Sequence, residues 1–217
     1  NLWKKIGDYA HPISTIKVSH GTIERGPASA TLKFNSADIE ENPMAQMLED
    51  RFLRQCLNHE IKENTRIDVM DQRKISEIIN LNEQKQLSLD NNSKLKTSLI
   101  VASDGVNSQL AKAFGIRKKG WEYKQHGLVC AVNHEYSSDN TAYQYFLPEG
   151  PLAILPIKNN TASIVWTESI QNASTISQMD DAEYLSVLQN RFGDFLGKLK
   201  LTGKRLSFPL KLSISEK

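Results

Sequence analysis

The fold of this chain is decided by the stretch LIVASDGVNS at positions 99–108, which continues into QLAKAFG at positions 109–115. Its continuous apolar start is typical of a strand in a sheet that is covered on both faces. Asp104 and Gly105 predict a tight turn, since glycine accepts a positive φ and aspartate accepts backbone hydrogen bonds. A short helix is then expected to end at Gly115. By itself, the stretch also fits an ordinary strand–turn–helix connection.

The remaining sequence predicts more strands than helices. A strand pair is expected at 13–19 and 30–34, joined through Gly21 to Gly26, and Asn159-Asn160 predicts a tight hairpin turn. Helical spacing predicts helices at 43–62 and 180–192, and further strands are expected at 66–69, 75–81, 86–89, 98–102, 124–135, 141–147, 152–157, 161–168 and 205–209. This order predicts an α+β protein with a large, mostly antiparallel sheet and part of a second, layered α/β region.

Composition narrows the function classes. The net charge of +2, from 27 basic and 25 acidic residues, gives no electrostatic case for nucleic acid. Apolar runs are strand-sized, so no transmembrane segment is predicted. The histidines and two cysteines show no metal-binding spacing, and no metal site is predicted. The basic run 117–119 predicts a solvated loop, with a weak contact to anionic lipid headgroups as the alternative.

Four segments carry a resemblance to a known family. ASDGVNS at 102–108 resembles the GADGxxS segment of flavin-dependent aromatic hydroxylases, with Ala102 in place of the usual first glycine. WEYKQ at 121–125, YQYFLPEGPLAILP at 143–156 and SIVWT at 163–167 resemble, in the same order, segments of the ubiquinone-biosynthesis hydroxylases. The chain thus resembles the UbiH/COQ6-like branch of the FAD monooxygenases over most of its length.

The resemblance implies a substrate domain with a large sheet and an incomplete FAD-binding α/β domain. The family's GxGxxG turn, which places a pyrophosphate at a helix N-terminus, and its later GDAAH segment are both absent from the sequence. The expectation is therefore an internal fragment of a larger enzyme. Residues 1–42 would form a substrate-domain hairpin, 43–115 part of the FAD-binding domain, and 116–217 the substrate domain.

The family motifs also indicate cofactor residues. Asp104 and Gly105 are expected beside the flavin's ribityl-pyrophosphate and in the use of NAD(P)H, although an aspartate there can equally just hold the turn. The run DRFLRQCL at 50–57 resembles the family's flavin-side helix ENRxLxxxL, so Asp50 and Arg51 are expected near FAD. Asp50 stands where the family has asparagine, and its charge would oppose a pyrophosphate unless Arg51 or solvent offsets it.

Substrate-side candidates are Gln125, Tyr145 and Phe146, because an aromatic sheet face suits a flat phenolic ring and a polyprenyl tail. Aromatic residues in strands are more often core residues, and that interpretation is favoured for Phe146. Trp121 and Trp166 are expected to pack. No catalytic acid–base residue is predicted, since in such enzymes the flavin carries the reactive chemistry.

The implied parent enzyme uses FAD, NAD(P)H and O₂ to hydroxylate the aromatic ring of a polyprenylated ubiquinone precursor, and the fragment alone is expected to be inactive. A cytoplasmic location is implied, with peripheral contact at the inner membrane and membership of a biosynthetic complex left open. The alternative is a non-catalytic module that uses the aromatic sheet to bind a lipid or quinone.

Overall fold

The computed structural model describes residues 2–22, 26–40, 42–81 and 83–216. Within them, the strands are β1 (His11–Ile13), β2 (Thr15–Thr22), β3 (Gly26–Asn35), β4 (Ala45–Met47), β5 (Ile75–Asn80), β6 (Lys85–Leu89), β7 (Lys94–Thr97), β8 (Arg117–His134), β9 (Thr141–Leu147), β10 (Gly150–Ile157), β11 (Thr161–Ser169), β12 (Leu199–Leu201) and β13 (Leu206–Glu216). The α-helices are α1 (Trp3–Ile6), α2 (Asp50–Glu63), α3 (Gln109–Ala113), α4 (Ile170–Gln178) and α5 (Asp181–Phe192). The predicted mixture of helices with large, mostly antiparallel sheets is confirmed.

The chain forms two compact units. The sheet unit comprises residues 1–60 and 122–210, and the small unit comprises 61–121 and 211–217. By expected function, the sequence divides the chain into 1–42, 43–115 and 116–217. The two units seen here are defined instead by contacts between residues. That functional division stays a prediction.

The main sheet has the strand order β12-β8-β11-β10-β9-β2-β3, with β13 also paired to β8. Its recorded registers are antiparallel except for the parallel pair β2–β9. Alternate residues of β8 to β11 are buried, as expected for a sheet covered on one face. The hairpin of β2 and β3 is confirmed, although residues 23–25 of its predicted turn lie outside the described residues.

Strand residues and helix residues share one hydrophobic core in the sheet unit. Trp166 is fully buried, and its ring lies 5.9 Å from that of Tyr184 on α5. The predicted apolar face of the last helix is confirmed, because Tyr184, Leu188 and Phe192 are all buried. Asp180 caps this helix through a reciprocal hydrogen-bond pair with Glu183. The helices α4 and α5 therefore pack on one face of the main sheet, and they leave its opposite face uncovered.

A buried polar cluster joins β11 to both helices. Glu168 Oε1 accepts hydrogen bonds from Trp166 Nε1 at 2.9 Å and from Arg191 Nε at 3.0 Å. Its Oε2 accepts a hydrogen bond from Asn172 Nδ2 at 3.0 Å, and the Arg191 guanidinium lies 4.6 Å from the centre of the Trp166 ring. Both charges are thus paired and hydrogen-bonded, which is what burial of charged groups requires.

The small unit contains the antiparallel sheet β5-β6-β7 and helix α3, together with the start of β8 and the end of β13. The predicted helix after the Asp-Gly turn is confirmed. Ser108 Oγ accepts a hydrogen bond from Ala111 N at 2.9 Å, and Gly115 adopts a φ of 70° just beyond the helix. Among the described residues of this unit, Leu89 is the one apolar side chain in the buried class. The unit therefore has little core of its own.

The predicted strand at 98–102 is wrong. These residues form no strand, and Leu99 and Val101 are 73% and 74% exposed. An apolar strand needs neighbouring strands to satisfy its backbone groups and cover its side chains. None of the described residues pairs with this segment, so its composition alone does not make it a strand.

Other boundaries also differ. Helix α2 begins at Asp50, and not at residue 43, because Ala45–Met47 pairs with His11–Ile13 as a two-stranded sheet. Residues 66–69 form no strand, and helix α4 was not predicted. The basic run 117–119, expected as a loop, begins the long strand β8. The Asn159-Asn160 turn is confirmed, since both residues have the positive φ typical of a tight hairpin turn.

Candidate functional site on the open face of the main sheet

One row of side chains crosses six neighbouring strands on the face turned away from α4 and α5. It is called here the apolar row, and strand pairing places its members side by side: Leu32, Val18, Gln144, Ala153, Val165 and Val129. Leu32 is 68% exposed and Val165 is 37% exposed. Gln144 is the one polar member, so the row offers a broad apolar surface with a single amide in it.

Phe146 extends this surface and Tyr145 does not. Neighbouring residues of a strand point to opposite faces. Phe146 is therefore on the open face, 55% exposed, whereas Tyr145 is 5% exposed in the core. The interpretation of Phe146 as a core residue is wrong in this structure. Burial raises the pKa of Tyr145 well above its ordinary value. The structure thus separates two of the residues that were predicted to line one substrate site.

A shallow depression lies beside Phe146. It has a volume of about 430 Å³ and a mostly carbon wall, and the residues that line it are Val18, Ser19, His20, Ala30, Thr31, Leu32 and Phe146. The parallel pairing of β2 and β9 sets His20 opposite Phe146. The size is within the range of small-molecule sites. The open face thus carries the aromatic ring of Phe146 beside an apolar depression.

Gln125 is held by the turn between β9 and β10. Its Nε2 donates a hydrogen bond to the carbonyl oxygen of Glu149 at 2.7 Å. Gly150 follows, with a φ of 142°, and a Cβ there would lie 2.6 Å from Thr167 Cγ2 and 3.3 Å from Gln125 Nε2. Glycine is therefore required at this corner. Gln125 thus holds this corner through its amide nitrogen, and its amide oxygen takes no part in that hydrogen bond.

In the small unit, Asp104 holds the start of α3. Its Oδ2 accepts a hydrogen bond from Gln109 N at 3.1 Å. A side-chain hydrogen bond with Ser108, helped by backbone amides, lowers the pKa of this exposed carboxyl below its ordinary value. Gly105 has a φ of 82°, and no atom lies within 4 Å of where its Cβ would be. Glycine is needed there for backbone conformation, and the space beside it is open.

Asp104 also borders a cleft of about 810 Å³ between β5 and α3. Arg73 and Lys74 line the cleft together with the apolar side chains of Ile75, Ile78 and Phe114. Glu77 lines it as well, so the cleft combines two acidic and two basic residues with an apolar wall. Asp104 is the one predicted site residue that lines a cavity in this unit.

Asp50 and Arg51 lie at the start of α2, in the sheet unit. Asp50 forms an ion pair with Arg54 one turn later. Arg51 donates to Glu49 Oε1 at 2.9 Å and lies 4.6 Å from the centre of the Phe52 ring, which stacks on Tyr9. The charge of Asp50 is therefore offset by Arg54, and not by Arg51 as the sequence suggested. Both side chains are exposed and engaged with their neighbours.

These residues fit a flavin only in part. The ionised Asp104 is suited to accept hydrogen bonds from a hydroxyl-bearing chain such as the ribityl group, and Gly105 leaves room for it. The described residues on either side of the Asp104 turn form no enclosure that would exclude water from a flavin ring. The turn therefore fits one portion of the cofactor and does not form a complete pocket.

Solved structures with a similar architecture define the fold. The chain superimposes on PqsL from Pseudomonas aeruginosa in complex with 2-aminobenzoylacetate with a TM-score of 0.75, covering 93% of this chain and 58% of PqsL at 15% identity. It superimposes on the flavin-dependent monooxygenase PieE, in complex with FAD and substrate, with a TM-score of 0.72, covering 99% of this chain and 41% of PieE at 11% identity. The chain has the fold of part of an FAD-dependent monooxygenase.

Proteins of similar sequence include ubiquinone hydroxylases and monooxygenases. The chain is 29% identical to the ubiquinone hydroxylase UbiL of Rhodospirillum rubrum, over 100% of this chain and 49% of UbiL. It is 29% identical to the uncharacterized protein slr1300 of Synechocystis, over 99% of this chain and 51% of that protein. Rat COQ6, a ubiquinone biosynthesis monooxygenase, is 35% identical over 49% of this chain and 22% of its own length. No protein-family model matches the chain.

These relatives confirm the predicted resemblance to the UbiH/COQ6-like branch. The chain spans about half the length of UbiL and slr1300. Sequence reasoning missed the apolar row, although the alternation in 143–156 and 163–167 could have indicated it. It also missed the Glu168–Arg191 pair, because no local pattern predicts which distant charges meet in a core.

No helix among the described residues is long and apolar enough to cross a membrane.

Proposed function

We propose that this chain is the substrate-binding portion of a flavin-dependent monooxygenase that hydroxylates the aromatic ring of a polyprenylated ubiquinone precursor, with NAD(P)H and O₂ as co-substrates. The observation that carries the proposal is the match to a ubiquinone hydroxylase along the whole chain, together with four motifs in the family's order. The fold shared with FAD-dependent monooxygenases supports it.

The open face of the main sheet is the proposed substrate surface. The apolar row and the depression beside Phe146 offer carbon surface for a flat ring and an isoprenoid tail. Gln144 and the carbonyl of Gln125 are the polar groups available to orient a phenol, since a buried hydroxyl requires a partner. The chain's own part in the reaction is to orient the ring and to keep water away from it.

FAD, when bound, supplies the activation of oxygen. Asp104 and Gly105 are the residues of this chain proposed to hold its ribityl portion, with Asp50 and Arg51 as further contacts. Because they do not form a complete pocket, the 217-residue chain alone should hold FAD weakly and should not hydroxylate substrate.

Titration of the purified chain with a short-tailed prenylated phenol tests the substrate surface. Phe146→Ala removes an aromatic side chain from the depression and should weaken binding about 10-fold, the effect of losing part of one buried aromatic contact. Tyr136→Ala is the matched control, since Tyr136 is 56% exposed in the loop after β8 and outside the open face. Equal affinities of both variants and the parent chain would contradict the proposed surface.

The cofactor side is tested separately by the flavin content of the same preparation. The expected result is a protein that loses its flavin on gel filtration. A tightly held, stoichiometric flavin in the 217-residue chain would show that its own residues complete the site, contrary to the proposal.

A second candidate function is a non-catalytic module that binds a lipid or quinone on the same face. It is favoured by one observation: the sheet unit has its own closed core, so its open face needs no flavin to be structured. One experiment distinguishes the two functions. With added FAD and NAD(P)H, the protein from the complete reading frame that contains this chain should form a hydroxylated product, whereas a module would bind the phenol unchanged.

A further inference from the structure

Thr167 lies on the open face of the main sheet, although it is almost fully buried. Its neighbours on β11, Trp166 and Glu168, point to the helix-covered face and are buried there. The expected packing of Trp166 is thus confirmed, whereas Trp121, expected to pack as well, is 59% exposed. Successive residues of a strand point to opposite faces, so Thr167 points to the open face. It is 6% exposed, while Val165 on the same face is 37% exposed, so Thr167 lies at the bottom of a recess.

The corner between β9 and β10 closes one side of this recess. A Cβ on Gly150 would lie 2.6 Å from Thr167 Cγ2, so the methyl group of Thr167 packs against this glycine. On the other side, Thr167 is paired with Gly127 of β8, which has no side chain that could cover the hydroxyl. The corner therefore takes up the methyl group and leaves the hydroxyl beside a residue without a side chain.

The Thr167 hydroxyl makes no side-chain hydrogen bond to any other residue that the structure describes. In the same part of the chain, the fully enclosed side-chain atoms without a partner are His11 Nε2 and His134 Nε2. Thr167 Oγ1 is not one of them, so it keeps an opening to the surface. A largely buried hydroxyl loses hydrogen bonds to water, and a ligand oxygen that reaches it restores one of them.

An oxygen on an aromatic ring fits this position. Leu152 pairs with Trp166 in antiparallel strands, so the next residues, Pro151 and Thr167, lie side by side, and Pro151 is paired in turn with Phe146. Neighbouring strands are about 4.8 Å apart, which separates the backbone at Phe146 from that at Thr167 by about 10 Å. One substituted ring spans this distance, with carbon surface beneath it and its oxygen at Thr167.

The chemistry of the hydroxyl defines the ligand group. A threonine hydroxyl donates and accepts, so it fits both the hydroxyl of a phenol and the carbonyl of a quinone. The amide of Gln144, in the apolar row, is more exposed than Thr167, so water competes for it more strongly. Discrimination between ring substituents is therefore expected at Thr167 more than at Gln144.

We propose that Thr167 is a specificity-determining residue, and that its hydroxyl hydrogen-bonds an oxygen on the aromatic ring of the bound compound. The open face then prefers a prenylated phenol over the same compound without the hydroxyl. This inference rests on the proposed substrate surface, and it assigns recognition of the ring oxygen to one side chain.

Calorimetric titration of the 217-residue chain with a short-tailed prenylated phenol, and with the same compound lacking the hydroxyl, tests this assignment. The parent chain should bind the phenol about 10-fold more tightly, which is the ratio that one net hydrogen bond supplies. Thr167→Val keeps the shape of the side chain and removes the hydroxyl, so it should bind both compounds equally. A Thr167→Val variant that binds the phenol as tightly as the parent chain overturns the assignment.

Two matched variants isolate the hydroxyl. Thr167→Ser keeps the hydroxyl and removes the methyl group, so it should retain the preference for the phenol. Thr175→Val makes the same change as Thr167→Val on the exposed surface of α4 and should bind both compounds as the parent chain does. A lost preference in Thr167→Ser, or equal effects in the two valine variants, contradicts the assignment. Unchanged urea unfolding curves exclude loss of fold as the cause.

The outcomes also separate this assignment from the proposed function. If the parent chain and Thr167→Val show the same preference for the phenol, the substrate surface stands and Thr167 is not the residue that recognises the oxygen. If the parent chain binds neither compound, the proposed substrate surface is wrong and the assignment fails with it.

Discussion

The sheet unit and the small unit show two different relations between apolar sequence and burial. In the sheet unit, Trp166, Leu152 and Ile164 are at most 1% exposed, because two helices cover one face of the sheet. In the small unit, Leu99, Val101 and Val106 are each more than 60% exposed. Both sequences are strongly apolar. The difference teaches that an apolar run becomes core only where the chain also supplies the surface that covers it.

The largest effect is expected at the buried Glu168–Arg191 ion pair of the sheet unit. Glu168→Ala leaves Arg191 buried without its carboxylate and should lower the free energy of unfolding by about 3–5 kcal/mol. Urea unfolding followed by tryptophan fluorescence measures this. Glu168→Gln is the matched variant: it keeps the hydrogen bonds to Trp166 and Arg191 possible, so its loss should be smaller. Equal losses would contradict the role given to the hydrogen-bonded cluster.

Hydrogen exchange compares the units directly. Backbone amides of β6 should exchange at least about 100-fold faster than those of β11, because local opening costs less where few apolar side chains are buried. Both strands are hydrogen-bonded on both sides, so the comparison isolates packing from secondary structure. Similar protection in β6 and β11 would show that the small unit is stabilised by something other than its own core.

Lowering the pH should destabilise helix α3 at a higher pH than it destabilises the main sheet. The pKa of Asp104 lies below its ordinary value of 3.8 in the folded chain, so its ionised form favours the folded turn. That contribution is fully present above about pH 4 and is lost as the pH falls through the lowered pKa. Exchange of the α3 amides should therefore rise in this window. Asp104→Asn should make the exchange rate of the α3 amides less dependent on pH. If the exchange rate of this variant depends on pH as in the parent chain, another titrating group causes the effect.

The smallest effect is expected in the exposed apolar segment. Leu99→Ser should change the free energy of unfolding by less than about 0.5 kcal/mol, as is usual for an exposed site, whereas Leu152→Ala in the core should cost about 2–5 kcal/mol. The pair of unfolding curves checks both. A large loss in Leu99→Ser would mean that residue 99 is covered in solution, and the contrast between the units would then be wrong.

Strong local signals predicted much of the fold. The Asn159-Asn160 turn, the helix with Tyr184, Leu188 and Phe192 on one face, and the strands from 124 to 168 follow from short-range chemistry, and the structure confirms them. The pairing of Ala45–Met47 with β1 could not be read from the sequence, because it depends on residues more than thirty positions away. The strand predicted at 98–102 failed for the same reason, since strands are defined by their neighbours.

The candidate site was predicted less completely. Strand alternation separates Tyr145 from Phe146, yet aromatic composition made both of them substrate-side candidates and favoured the core for Phe146, which is the exposed one of the two. Gln125 was chosen through the family motif, and its bond to the Glu149 carbonyl depends on the fold of a distant corner. Asp104 and Gly105 were placed correctly in a turn before a helix, but their contact with a cofactor stays a prediction.

The central claim is that this chain serves a flavin-dependent hydroxylation of a prenylated aromatic ring. It is tested most directly by expressing the complete reading frame that contains these 217 residues and measuring product formation from a prenylated phenol with NAD(P)H and O₂. The account predicts a larger flavoprotein that forms a hydroxylated ring, with lower activity in Phe146→Ala than in Tyr136→Ala. A colourless protein that binds the phenol and leaves it unchanged would contradict the claim and favour the binding module.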